Sequence, residues 1–304
     1  MKVVALAGGT GSAKLLRGLA HLGPDLTVVS NVGDNFRFHG ILVCPDLDVA
    51  TYVLGGVADK KKGWGVAGDT FAALGQLERL GAPTWFRLGD LDLATCLFRG
   101  GMIEKGLSLT EATEVVRRSL GVRAKVLPVT DDDVQTHIRT PRGLLHLQEF
   151  WVRDGGRPKV LGVEYSGSES ARLTPGVALA MEAADRIVIC PANPITSVGP
   201  MLAVPGFERL LSSARERVSA LSPMVGSAPY SGPAGKLMRA AGLRPDSVGV
   251  ASAYAKFLGT LLVARVDSGL VPEVEAMGIR CHATDALIGS PAAAKRVAKE
   301  LLAV

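Results

Sequence analysis

Residues 1–19 read MKVVALAGGTGSAKLLRGL, and the step from the apolar run into the glycines at 8–11 decides the fold. Val3, Val4, Ala5 and Leu6 form a run too short for a helix and read as a strand. Gly8, Gly9 and Gly11 end it, because glycine accepts backbone angles closed to other residues. Leu15, Leu16, Leu19 and Leu22 then recur at helical spacing. A glycine turn between a strand and a helix start leaves N–H groups pointing one way, with the positive end of the helix dipole behind them, so anions bind there. A P-loop needs G-x-x-x-x-G-K-[ST]; Ala13 before Lys14 and Leu15 after it break that pattern. The dinucleotide fingerprint G-x-G-x-x-G fails at its third glycine, where Lys14 stands. The expectation is phosphate binding without a nicotinamide signature; a plain strand–helix turn is the competing reading.

The rest of the chain narrows the class. With 304 residues and 47% hydrophobic content it can bury a large core as one big domain or two small ones. No apolar run approaches the ~20 residues of a membrane span, and no signal-peptide pattern is read at the N-terminus. Cys44, Cys96, Cys190 and Cys281 are scattered, with no C-x-x-C pair. That argues against a zinc site and a disulfide framework, and for a cytoplasmic location. The net charge of +5 is modest and only 5% of residues are aromatic. A basic stripe with stacking aromatics is missing, so no nucleic-acid partner is expected. A mild positive balance suits small polyanions such as nucleotides, or a solvated surface with no message.

Strand-like runs alternate with helical stretches: VVALA, LTVVSN from Leu26, KVLPVT from Lys125, RIVIC from Arg186 and VGVAS from Val248. This predicts an α/β, Rossmann-like fold with a mostly parallel sheet and helices on both faces. Between residues 50 and 122 the pattern changes. TFAALGQLERLG and SLTEATEVVRRSLG read as amphipathic helices, the second with Ser108 and Glu111 spaced as a capping box and Thr110 as a rival cap. The reading is a helical insertion within a single domain, residues 1–304, that can close over a site. THIRTPRGLLHLQEFWVR reads as a two-stranded excursion turning at residues 141–143, and SPAAAKRVAKELLAV as a C-terminal helix.

Polar residues cluster just after strand-like runs, the edge where ligands gather in open α/β sheets. SNVGDNFRFHG carries Asn31, Asp34, Asn35 and His39; CPDLDVATYVLGG carries Asp46 and Asp48; FRLGDLDLAT carries Arg87, Asp90 and Asp92. Asp46 and Asp48, two apart, share a side if their segment is extended. Two carboxylates near a phosphate cradle suit magnesium, which takes oxygen ligands and completes its shell with phosphates and water. Alternatively, Asp48 caps a helix beginning near Val49. Arg87 can clamp a carboxylate or phosphate or form a surface ion pair. His39 is a ligand contact or a structural residue, and Asp131, Asp132 and Asp133 cap a helix or bind a ligand. CPANPITSVGPML, with Asn193, Thr196, Ser197 and Gly199, offers a second anion or nucleotide-edge site. Two cradles with acids between them suggest a transferase; without a G-x-S-x-G elbow, acyl transfer has little support.

The segments AGGTGSAKLLRGL, NVGDNFRFHG, CPDLDVATYVLGG, GWGVAGDTF, LGDLDLAT, HLQEFWVR and CPANPITSVGP, in order, resemble the 2-phospho-L-lactate transferase family of coenzyme F-420 biosynthesis. A weaker match continues through SPMVGSAPYSGPAGKLM. The resemblance implies a magnesium-dependent, homodimeric enzyme. It joins a three-carbon acid carried on GDP (2-phospholactate, phosphoenolpyruvate or 3-phosphoglycerate) to the deazaflavin alcohol FO, with loss of GMP. It implies that Gly8, Gly9, Thr10, Gly11 and Lys14 hold the donor's phosphates, and that Asn193 and Ser197 belong to the nucleotide side. By the same resemblance Asp48 and Arg87 contact FO, Asp46 and Asp48 hold the metal, one of these acids orients the attacking hydroxyl, and Trp64 walls the ring pocket. Asn31, Asp34 and His39 complete the expected substrate residues. Asn35 replaces the second acid of the family's N-x-G-D-D, and Cys96 replaces a histidine after L-A-T. Two other readings remain open. One is a nucleotide-sugar-binding regulator of the gluconeogenesis factor type, which shares the glycine-rich start. The other is a nicotinamide oxidoreductase, which rests on topology alone.

Overall fold

Continuous apolar runs become strands covered on both faces, as parallel sheets require. The computed structural model describes residues 1–229 and 232–304. Its strands are β1 (Lys2–Ala7), β2 (Asp25–Ser30), the hairpin β3 (Phe36–Phe38) and β4 (Ile41–Val43), β5 (Lys125–Pro128), β6 (Gln135–Thr140), β7 (Gly143–His146), β8 (Gly162–Ser166), β9 (Arg186–Ile189), β10 (Val218–Leu221), the short ribbon β11 (Met224–Val225) and β12 (Ala228–Pro229), β13 (Thr260–Ala264) and β14 (Arg280–Thr284). Seven form one sheet in the order β14-β13-β10-β9-β1-β2-β5, every neighbouring pair parallel. The chain steps outward from β1 through β2 to β5, then returns to β9 on the other side of β1. Crossovers between parallel strands are right-handed almost without exception, so the reversal of strand order puts helices on both faces of the sheet. The reversal opens a crevice at the carboxyl ends of β1 and β9, where ligands of such sheets bind.

Helix α1 (Gly9–His21) follows β1 and buries Leu15, Leu16 and Leu19. Its Gly18 lets the C-terminal helix Pro291–Ala303 approach so closely that a Cβ would collide with the Ala294 carbonyl. Between β4 and β5 the chain forms α2 (Pro45–Leu54), α3 (Ala72–Arg79), α4 (Asp90–Glu104) and α5 (Leu109–Ser119). The capping box of Ser108 and Glu111 is present. The rival cap Thr110 instead donates its N–H and hydroxyl to Asp131 Oδ1, which answers for that acid. The excursion at β6 and β7 forms as expected and gains β8 as a third antiparallel strand.

One strand expectation is wrong. VGVAS lies in the helix Ser247–Tyr254, whose N-cap Asp246 accepts from Val248 N–H and Gly249 N–H. That helix is buried on nearly all sides, so its residues show no helical period and imitate a strand. The stretch SPMVGSAPYSGPAGKLM includes Tyr230 and Ser231, which lie outside the described residues. Among the described residues no helix is long and apolar enough to cross a membrane.

Candidate functional site

At the carboxyl ends of β1 and β9 lies a cavity of about 660 Å³. Its floor is the turn Gly8, Gly9, Thr10 and Gly11, and one wall is the segment Pro191, Ala192, Asn193, Thr196 and Ser197. Helix α1 begins at Gly9 with no side-chain cap, so N–H groups of its first turn lack intrahelical acceptors. The Gly8 N–H is taken by Ser12 Oγ at 3.1 Å and the Gly9 N–H by Asp46 Oδ1 at 2.6 Å. The two cradles meet at Gly8, where an added Cβ would lie 2.6 Å from Ser197 Cβ. Asn193 caps its own wide helical turn, accepting from Ile195 N–H and Thr196 N–H.

Two expected residues stand elsewhere. Lys14 is exposed and does not line the cavity, because α1 starts at Gly9 and carries position 14 a turn and a half along, to the solvent side. A P-loop lysine sits at the helix start instead. His39 sits in the β3–β4 turn at φ +50, exposed, with Nε2 2.8 Å from the Pro83 carbonyl. It ties the hairpin to a neighbouring segment and takes no part in the cavity lining.

The acid pair also differs from expectation. The helix begins at Pro45 rather than near Val49, with Cys44 as N-cap, so Asp46 and Asp48 both lie in its first turn. Residues two apart on a helix point to different sides. Asp46 reaches Gly9 N–H and Asn31 Nδ2. Asp48 turns the other way, and its Oδ1 pairs with Arg99 Nη2 at 2.7 Å, both groups buried. Asp48 Oδ2 is buried without a partner among the described residues. Beside it stands Asp92, whose Oδ1 accepts from Tyr52 Oη at 2.8 Å. One oxygen each of Asp48 and Asp92 and the sulfur of Cys96 lie within 4.8 Å of one another.

Burial dominates the electrostatics. It lifts Asp48 to about 7 against the pull of Arg99, and Asp46 to about 6 against its hydrogen bonds from Asn31 and Gly9. Asp34, on the cavity wall, is also raised, by burial and then by the Asp46 charge. Asn31 is fully buried behind the wall and joins these groups: its Nδ2 donates to Asp34, Asp46 and the Thr196 carbonyl. A hard cation needs oxygen ligands. Asp48 and Asp92 fit it, with one desolvated oxygen unclaimed, whereas both oxygens of Asp46 already accept bonds from the protein.

The remaining walls are aromatic. Trp64, Trp85, Phe86 and Trp151 line the cavity, with Arg87 at its mouth, stacked 4.5 Å from the Phe71 ring centroid. Lys62 lies over Trp64 and Phe71. Phe36, Phe38, Trp85 and Phe86 pack against one another and support this wall. Asp90 accepts from Ala72 N–H and Ala73 N–H, so it caps α3 and not a ligand. Sequence reasoning missed Tyr52, Arg99 and Gln148. Asp92, Cys96 and Arg99 recur at i, i+4 and i+7 on α4, the signal that could have exposed the buried arginine.

His146 supports Gln148 on the cavity wall. Its Nδ1 accepts the Gln148 N–H at 3.1 Å, which makes Nε2 the protonated nitrogen, donating to the Asn35 carbonyl. Burial and the nearby His137 lower its pKa to about 4. The unfolded chain takes up the proton near pH 6.5. Its contribution to stability is therefore present above about pH 6.5 and lost as pH falls toward 4. The stability gap between wild type and His146→Phe should narrow by about 1–3 kcal/mol across that window, measured as urea midpoints at several pH values.

The topology is that of an open parallel α/β protein, with its cavity at the switch point between β1 and β9. Residues 3–288 match the CofD family, described as 2-phospho-L-lactate transferase. The chain is 40% identical over 299 residues to a 2-phospho-L-lactate transferase of Methanosarcina barkeri, covering 98% of this chain and 96% of that one. It is 39% identical over 310 residues to a phosphoenolpyruvate transferase of Streptomyces griseus, covering 99% and 98%. A solved structure of a Bacillus halodurans protein of the UPF0052 family shares the fold, with a TM-score of 0.64 at 19% identity, covering 99% of this chain and 98% of that one. The chain belongs to the CofD 2-phospho-L-lactate transferase family.

Proposed function

We propose that this enzyme transfers a phospho-linked three-carbon acid from a GDP-activated donor to FO and releases GMP. The observation that carries the reading is the joining, in one cavity, of the glycine turn, the 191–197 segment, the Asp48–Asp92 pair and an aromatic wall. The donor's diphosphate lies on the first turn of α1 and against Ser197. The deazaflavin ring stacks along Trp64, Trp85 and Phe86, with Arg87 and Asp48 holding its polar side chain. The terminal hydroxyl of FO attacks the phosphorus that bears the acid, the bond to GMP breaks, and a phosphodiester remains. A magnesium ion on Asp48 and Asp92 would neutralise charge on the phosphates. Phosphoryl chemistry of this kind needs mainly alignment and charge neutralisation. Asp46, bonded to Gly9 N–H, keeps the glycine turn in register with α2. Both 2-phospholactate and phosphoenolpyruvate are named among relatives at similar identity, so the acid is chosen by assay.

Protein incubated with FO, magnesium and each GDP-linked acid should give the phosphodiester and GMP with one of them, detected by mass spectrometry. Arg87→Ala should raise the KM for FO about tenfold or more and change the donor KM less. No product from any donor, with no binding of FO, overturns the reading.

A further inference from the structure

We propose that Asp48, Asp92 and Cys96 form a site for one thiophilic divalent cation, such as zinc or cadmium, which competes with magnesium for the same carboxylates. The inference rests on reading Asp48 and Asp92 as cation ligands, and not on which acid or acceptor the enzyme uses.

The ligand set is assembled from two helices. On α4, Asp92 and Cys96 are four residues apart and so neighbours on one face. Asp48 comes from the first turn of α2, and the three ligand atoms lie within 4.8 Å of one another. Asp48 is 5% exposed and its Oδ2 has no partner among the described residues, an acceptor the fold leaves ready for a cation. Cys96 is fully buried behind the two acids, which themselves line the cavity. Three protein ligands, two of them lining the cavity, match in number the zinc sites that leave a fourth position for water or substrate.

Charge favours the same occupant. Once the cation has displaced the Cys96 proton, which burial otherwise holds on the sulfur, two carboxylates and a thiolate against the Arg99 guanidinium carry two negative charges, which a divalent cation cancels. Magnesium takes only the oxygens; sulfur adds a ligand for softer cations alone. On binding, the Cys96 S–H proton passes to solvent and a sulfur lone pair makes the metal bond, with no change of oxidation state. The absence of a C-x-x-C pair hid this set, because it uses a single cysteine and residues from separate segments.

Metal-free protein titrated with Cd2+ should develop thiolate-to-cadmium charge-transfer absorbance that saturates at one ion per chain. Cys96→Ser and Cys96→Ala should abolish the band and weaken binding, by calorimetry, about 10- to 100-fold. Cys281→Ser should retain both. Asp92→Asn should weaken binding and keep a residual band, and excess magnesium should lower the apparent cadmium affinity. A wild-type protein without the band, a full band in Cys96→Ser, or indifference to magnesium overturns the proposal. No product from any donor and no FO binding, with the band intact, overturns the proposed function while supporting this site; activity with no band removes this site alone.

Discussion

Arg99→Met is expected to lower the unfolding free energy by about 3–5 kcal/mol. Arg99 is 2% exposed, and its guanidinium is the cationic partner of Asp48 at 2.7 Å. Methionine fills much of the same space, so a cavity contributes little to the loss. The cost arises because the Asp48 carboxylate stays buried with nothing to balance it. Burial already holds Asp48 near 7 with the arginine present. Without Arg99 it rises further above its value in the unfolded chain. A carboxyl whose folded pKa is raised contributes stability at low pH and loses it as pH climbs. The Arg99→Met deficit should therefore be larger at about pH 8 than at about pH 6.

Urea unfolding checks this, provided the denaturant slope is unchanged and only the midpoint moves. Adding Asp48→Asn to Arg99→Met removes both charges, and should recover most of the lost stability while leaving the protein inactive. Asp48→Asn alone should remain destabilised, with the guanidinium uncompensated. A loss under about 1 kcal/mol for Arg99→Met, the scale of an exposed pair, would show that water reaches the pair.

The buried ion pair was the least legible part of the site. An arginine in CLFRGG reads as a surface residue, and only its spacing from Asp92 hints otherwise. The strands β1, β2, β5 and β9 were legible because each is a short apolar run closed by turn residues. β10, β13 and the half-exposed edge strand β14 were not read, and Ser247–Tyr254 imitated a strand because a helix buried on nearly all sides loses its period. The switch point followed once strand order was known, and it gathers Gly8, Asp34, Asp48, Arg87, Asn193 and Ser197 around one cavity. The orientation of Asp46 and Asp48 was misread because the helix start was placed about four residues too late. Starting the helix at Pro45 rather than near Val49 turns two parallel side chains into two divergent ones. Lys14 failed for a similar reason, since its place depends on where α1 begins.

Asn31→Leu should cost about 3–5 kcal/mol and reduce activity about 100-fold or more. Asn31 is wholly buried, and its Oδ1 accepts the Gly33 N–H while its Nδ2 serves Asp34, Asp46 and the Thr196 carbonyl. Leucine matches it in size and bonds to none of them, leaving several buried polar groups without that partner. Because one amide links the glycine turn, through Asp46, to the 193–197 turn, its loss should displace both cradles and weaken donor binding more than FO binding. Asn31→Asp separates bonding from shape. It keeps the acceptor for Gly33 but places a third carboxyl between Asp34 and Asp46, which burial already raises. All three then favour the protonated form in the fold, so the deficit should grow as pH rises from about 6 to 8. Asn31→Leu should show a weaker dependence of the same sign, since two acids rather than three are affected. Urea midpoints at the two pH values, with donor affinity by calorimetry, decide the matter. If Asn31→Asp were as stable as wild type at both, the amide would be spectator to the cluster, and the two cradles would be held in register by the contact of Gly8 with Ser197 instead.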